Sequence, residues 1–173
     1  IFHPDTAVLR LKAPHDALIS LLGQSPKSIL DTTMGLASDS LVMAAVGNRV
    51  TALESQEVIF QVVSRGLATY QTDNKQIEKA MQSIKAVKSD SLTFLKSQTD
   101  HSFDIIYADP MFSETIKESE NLNAIKPLAN GSRLTREWLD EAKRVGRERI
   151  IIKAHFRDSV FEELGFERQV RPN

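Results

Sequence analysis

Hydrophobic positions in this chain fall into short unbroken runs, separated by longer stretches with helical spacing. Runs at 27–31, 49–54, 85–88, 103–108 and 149–154 predict five core strands. Their near-continuous apolar character suits strands buried on both faces, the signature of a parallel sheet. Between them, Val58, Ile59, Val62, Val63, Leu67 and Tyr70 make one face of a helix, read as core. Further helices are predicted at 15–22, 41–46, 77–84, 92–95, 134–145 and 158–164. Near the amino terminus, Val8, Leu9 and Leu11 alternate with Arg10 and Lys12, which predicts an edge strand or extended arm. Residues 166–170 predict a last strand. Strand and helix therefore alternate along one domain, 1–173, with an arm and helix over 1–25. The fold class is α/β: a Rossmann-like three-layer sandwich around a mostly parallel, doubly wound sheet.

Turn residues locate the chemistry. The run at 103–108 stops at Asp109-Pro110, followed by Met111-Phe112. Proline cannot extend a strand ladder, so the chain turns and leaves a carboxylate at a strand's carboxyl end. Ligands of open α/β sheets bind along that edge. Asp31, Glu54 and Asp90 end the other three leading strands in the same way. One such acid is an ordinary cap, whereas four on one rim repel unless a ligand or hydrogen bonds satisfy them. Asp31-Thr32-Thr33-Met34-Gly35-Leu36-Ala37-Ser38-Asp39-Ser40 joins the first strand to a helix through a glycine turn, with Ser38 or Asp39 as its expected cap. Ser55 is the expected cap of the next helix and Thr135 that of the helix at 134–145. The full G-x-G-x-x-G of dinucleotide folds is absent; Ala37 stands where a second glycine would be.

Composition narrows the classes. Hydrophobic residues make up 41% and charged residues 26%, ordinary for a globular domain. Net charge is −1, so no overall basic field points to nucleic acid. There is no cysteine, which removes disulfides and thiolate metal sites and suits a reducing, cytoplasmic setting. No metal ligand set is expected: His3 and His15 have no partner at metal spacing. No apolar run reaches the ~18 residues of a membrane helix. The chain starts at Ile1, not methionine, which leaves room for a native start upstream. The polar stretch 113–133 reads as a substrate lid. From Lys126 to Arg157 nine basic residues face four acids, a local excess beside that lid. Lys143, Arg144 and Arg147 fit a solvated helix face, whereas Lys153, at a strand end, is the better functional candidate. His155 fits capping or packing better than substrate work.

The glycine turn, the acids after it and Asp109-Pro110-Met111-Phe112 together resemble the class I S-adenosylmethionine-dependent methyltransferases. Within them the D-x-T-x-G-L-x-x-D-[SA] turn with D-P-M-F resembles the RsmJ-like subgroup of small-subunit ribosomal RNA guanine-N2 methyltransferases and their uncharacterised relatives. The likeness spans roughly residues 2–170. Two departures stand out: Ala37 replaces a glycine of the subgroup, and the class's last antiparallel strand is missing or cut off, since one strand alone follows Gly165.

The resemblance implies S-adenosylmethionine as cofactor. Its contacts would run along Asp31, Thr32, Thr33, Gly35, Asp39 and Ser40, with Asp31 or Asp39 near the methionine ammonium. Glu54, with Ser55, would take the ribose hydroxyls; Asp90, with Ser91, would serve the adenine. Asp109, beside the donor, would accept a target N–H, the Pro110 carbonyl the other, and Phe112 would stack on the base. Met111, Phe112, Lys126, Arg133 and Lys153 would contact the substrate. The implied activity is N-methylation, first of guanine N2 in ribosomal RNA, with RNA as partner and a homodimer left open. A small molecule or protein side-chain amide is the alternative acceptor, and a non-catalytic nucleotide- or RNA-binding domain the third reading. The ribose acid suits NAD equally well; the missing second glycine and the D-P-M-F motif count against it.

Overall fold

The computed structural model describes residues 2–110, 134–153 and 165–167. The lid stretch 113–133, the helix expected at 158–164, most of the last strand, Met111, Phe112, Lys126, Arg133 and His155 lie outside the described residues.

Five strands form one sheet: β1 (Ser28–Asp31), β2 (Arg49–Glu54), β3 (Lys85–Lys88), β4 (Phe103–Ala108) and β5 (Gly146–Ile152). Their spatial order is β3-β2-β1-β4-β5, and every neighbouring pair is parallel. The chain winds outward from β1 to β3, then returns to β4 on β1's other side. Such a reversal falls here between β1 and β4, and in open α/β sheets ligands bind at the carboxyl ends of the strands at that point.

The strands look uniformly apolar, yet their side chains alternate between two cores. Ile29, Ile105 and Tyr107 belong to one cluster, Leu30, Ile106 and Ala108 to the other. The first core is covered by α1 (Asp5–Lys12), α2 (Ala17–Leu22), α3 (Ser38–Ala45), α4 (Glu57–Thr69) and α5 (Lys75–Ser83). The second is covered by α6 (Ser91–Ser97) and α7 (Arg136–Val145). The result is the expected three-layer sandwich.

Several local expectations are corrected. The residues around Val8 and Leu11 form a helix, not a strand. Pro4 sits at its N-cap, Asp5 complements the first turn, and Ala7 is buried while Leu9 is 69% exposed. Five residues, 8–12, were too short a pattern to outweigh those start signals. On α4 only Val63 and Leu67 are buried; Val58 and Val62 are 57% and 41% exposed, so the apolar stripe is wider than the core it covers. Neither Ser38 nor Asp39 caps α3: Ala37 takes the N-cap position with a left-handed backbone. Gln56, not Ser55, takes that position on α4, with no side-chain cap. β5 starts at Gly146, three residues before Arg149, and ends at Ile152. The cap expected at Thr135 is present: its hydroxyl accepts from the Trp138 N–H at 3.1 Å.

Candidate active site

Parallel pairing brings the carboxyl ends of all five strands to one edge, and with them the four strand-end acids. The turn after β1 is suspended between its neighbours. Thr32 donates through its backbone N–H and its hydroxyl to the Tyr107 carbonyl, at 2.9 and 2.8 Å. Met34 N–H donates to the Leu53 carbonyl at 2.8 Å. Gly35 N–H donates to a Glu54 oxygen at 3.1 Å. Gly35 has φ 50°, and a side chain there would meet nothing closer than the Thr33 carbonyl at 3.9 Å, so backbone conformation rather than crowding selects glycine. Ala37 has φ 64°. The left-handed backbone explains why a glycine is the natural alternative here; alanine holds it at a modest strain cost.

Each acid has a distinct environment. Asp31 is buried, accepting from the Ser40 hydroxyl at 2.5 Å and the Thr33 N–H at 2.9 Å. Burial pushes its carboxyl up to about 7, against the pull of those two bonds and helped by the charges of Asp39 and Asp109. Glu54, half-buried, accepts from the N–H groups of Gly35 and Gln56 at 3.1 and 2.9 Å. A carboxylate offers about four lone-pair positions, so these bonds orient Glu54 without exhausting it. Asp90 is exposed and caps α6, accepting from the Thr93 N–H at 3.0 Å. Asp109 donates its backbone N–H to the Thr33 hydroxyl at 2.7 Å, which ties the acid after β4 directly to the glycine turn.

Asp39, expected as a helix cap or near the methionine ammonium, is the hub of a charged cluster. Its oxygens take the Arg10 guanidinium, the Tyr107 hydroxyl at 2.6 Å and the Lys153 ammonium at 3.2 Å. Burial opposes its charge, yet Lys153, Tyr107 and Arg10 together hold it below the usual carboxylate range. Arg10 also grips Asp16 at 2.9 Å, so α1 and α2 are strapped to the glycine turn through one guanidinium. Tyr107 is itself pushed up, by burial first and then by Asp39. Arg10 and Tyr107 were not among the expected site residues. The single trace of Tyr107 in the sequence is a hydroxyl inside an apolar run, which must find a partner when buried.

Of the expected cofactor residues, Asp31, Thr32 and Ser40 are buried, with side chains spent on internal hydrogen bonds. They shape the turn from behind. Ser91 begins α6 and accepts from the Trp138 indole N–H at 3.2 Å, a tie between helices. Lys153, at the end of β5, reaches 3.1 Å from Asp109 as well as Asp39; it lies among the acids, not out along a phosphate track. Rim repulsion is thus settled by two cations, Arg10 and Lys153, and by the raised carboxyl of Asp31. A cavity of about 310 Å³ lies elsewhere, along the amino-terminal half of β5 with Phe166. Another, of about 120 Å³, separates Phe2 and Thr6 from Leu36 and Leu41.

An open parallel sheet with a glycine turn at its switch point and an acid ending β2 is the arrangement of Rossmann-like folds. This chain belongs to the family described as "Putative SAM-dependent methyltransferase", whose profile matches residues 15–167; the family's cofactor is S-adenosylmethionine. It is 32% identical to the uncharacterized protein YpiP of Bacillus subtilis, over 95% of this chain and 67% of that protein. It is 30% identical to ribosomal RNA small subunit methyltransferase J of Laribacter hongkongensis, over 78% of this chain and 49% of that one. The Acinetobacter baumannii protein of the same name is 32% identical over 69% and 42%. The chain thus spans about half the length or less of these ribosomal RNA methyltransferases. A solved SAM-dependent methyltransferase from Neisseria gonorrhoeae shares the fold at TM-score 0.60 and 19% identity, covering 88% of this chain and 61% of that one. The residues present fit the family's cofactor: Glu54 keeps acceptor capacity for ribose hydroxyls, and the left-handed turn at Gly35 leaves its backbone open to close approach.

Proposed function

We propose that this protein transfers a methyl group from S-adenosylmethionine to an exocyclic amine of RNA, guanine N2 in small-subunit ribosomal RNA, in the cytoplasm. S-adenosylmethionine supplies an electrophilic methyl on a sulfonium. Glu54 and the Gly35 turn hold it, with Asp90 toward the adenine. Asp109 and the Pro110 carbonyl accept the two N–H bonds of the amine and aim the nitrogen lone pair. As the N–C bond forms and the S–C bond breaks, the nitrogen acidifies and its proton leaves along the hydrogen bond to Asp109. A strong base is not required. Much of the acceleration comes from holding the two reactants together. Phe112 stacks on the base, worth about 1–3 kcal/mol. A paired base must be extruded or offered in a loop to reach this edge. Lys126 and Arg133 supply phosphate contacts.

The observation that carries the reading is the Asp109–Thr33 hydrogen bond, because it couples the acceptor-orienting acid to the cofactor turn. The ribosomal RNA methyltransferases among the relatives support the choice of RNA. Asp109→Ala is expected to lower transfer to small-subunit ribosomal RNA on the order of a hundredfold or more. S-adenosylhomocysteine affinity should stay within about twofold. An unchanged N2-methylguanosine content in ribosomal RNA from a strain lacking the protein overturns the reading.

A further inference from the structure

Lys153 places a cation beside Asp109, the acid proposed to receive the target amine. Its backbone N–H donates to the Ala108 carbonyl at 2.9 Å, which fixes the end of β5 beside Asp109. Its ammonium lies 3.1 Å from Asp109 Oδ2 and 3.2 Å from Asp39 Oδ2. The two anchors differ. Asp39 is nearly buried and keeps Arg10 and Tyr107 whatever Lys153 does. Lys153 is 41% exposed and Asp109 38%, so both side chains of this contact reach solvent, unlike Asp39.

Resting on the proposed methylation of a nucleobase amine, we infer that Lys153 is a specificity-determining residue that reads the hydrogen-bond acceptor next to the target amine. An incoming amine N–H replaces the lysine N–H at Asp109. The ammonium has three donors, so it keeps Asp39 and turns a freed N–H to the substrate. Asp109 and Lys153 then face a donor and an acceptor carried on one carbon. Guanine presents that pair as its N2 amine and ring N3. A protonated alkylamine offers no acceptor and brings a second positive charge against Lys153. The substrates selected are neutral, planar amines with a neighbouring acceptor, and alkylammonium groups are rejected.

The test compares wild type, Lys153→Met and Lys153→Arg, each saturated with S-adenosylhomocysteine, for binding of guanosine monophosphate and of its 3-deaza analogue, in which N3 is a C–H. Wild type is expected to prefer guanosine monophosphate about tenfold, the scale of one good base contact. Lys153→Met erases that preference, Lys153→Arg restores most of it, and S-adenosylhomocysteine affinity changes less than about twofold throughout. Equal preference in wild type and Lys153→Met, or none in wild type, overturns the inference. If labelled methyl still reaches ribosomal RNA in that case, the proposed function stands and the role of Lys153 alone falls. If neither transfer nor nucleotide binding occurs, both fall.

Discussion

Asp31 carries an unusual pH signature for a carboxyl group. In the folded chain burial raises it from 3.8 to about 7. Between those values the folded state holds a proton that the unfolded chain has released. Folding therefore takes up a proton in that window, and stability falls as pH rises, by up to about 1.4 kcal/mol per pH unit. Asp16, Asp39 and Asp104 shift the other way, so their contribution is lost only as pH falls below the ordinary carboxylate range. Asp31→Asn should flatten the decline between pH 5 and 7 in urea unfolding; an unaltered slope would assign it to another group. The acids themselves were legible, because a polar residue ending an apolar run is a local pattern. Their partners were not. Arg10 lies 29 residues from Asp39 and Tyr107 68, and no local spacing links them.

Among the helices, α4 offers a substitution whose sign is not given by helix propensity. Gly66 lies inside it, and replacing glycine with alanine in a helix interior ordinarily gains about 1 kcal/mol. Here the added Cβ would lie 2.3 to 2.5 Å from Phe2 carbons, the Phe2 Cβ among them. Phe2 is buried and meets Tyr70 edge-on, with ring centroids 5.9 Å apart. Overpacking of this kind costs about 1–3 kcal/mol. Gly66→Ala should therefore be neutral to destabilising in wild type and stabilising in a Phe2→Ala background. A gain in both backgrounds would show that Phe2 can step aside freely. The same helix shows where periodicity misleads. Val58 and Val62 continue the apolar stripe, but the face they lie on is exposed, because the sheet and α5 cover only part of the helix.

For the whole molecule, a ligand that binds only the folded state adds stability by mass action. S-adenosylhomocysteine at a hundredfold excess over its Kd should contribute about 2.7 kcal/mol. For a chain of this size that is a rise in Tm on the order of 5–10 °C. NAD at the same concentration should produce no shift, and Glu54→Ala should abolish most of the response to S-adenosylhomocysteine. A shift that survives Glu54→Ala would move the ribose contact elsewhere.

By itself the sequence determined the strand–helix alternation, the parallel class of the sheet, the glycine turn and the acids that close the strands. Those features depend on short-range spacing, turn chemistry and side-chain type, all of which are written locally. Tertiary structure decided which carboxylates are buried and spent on internal hydrogen bonds and which stay exposed at the strand ends. It also decided that Arg10 straps two helices to the turn, and that Lys153 sits beside Asp109. The reason is physical: hydrogen bonding and charge pairing depend on distance in space, and only the folded sheet brings β5, α1 and the turn after β1 within reach of one another.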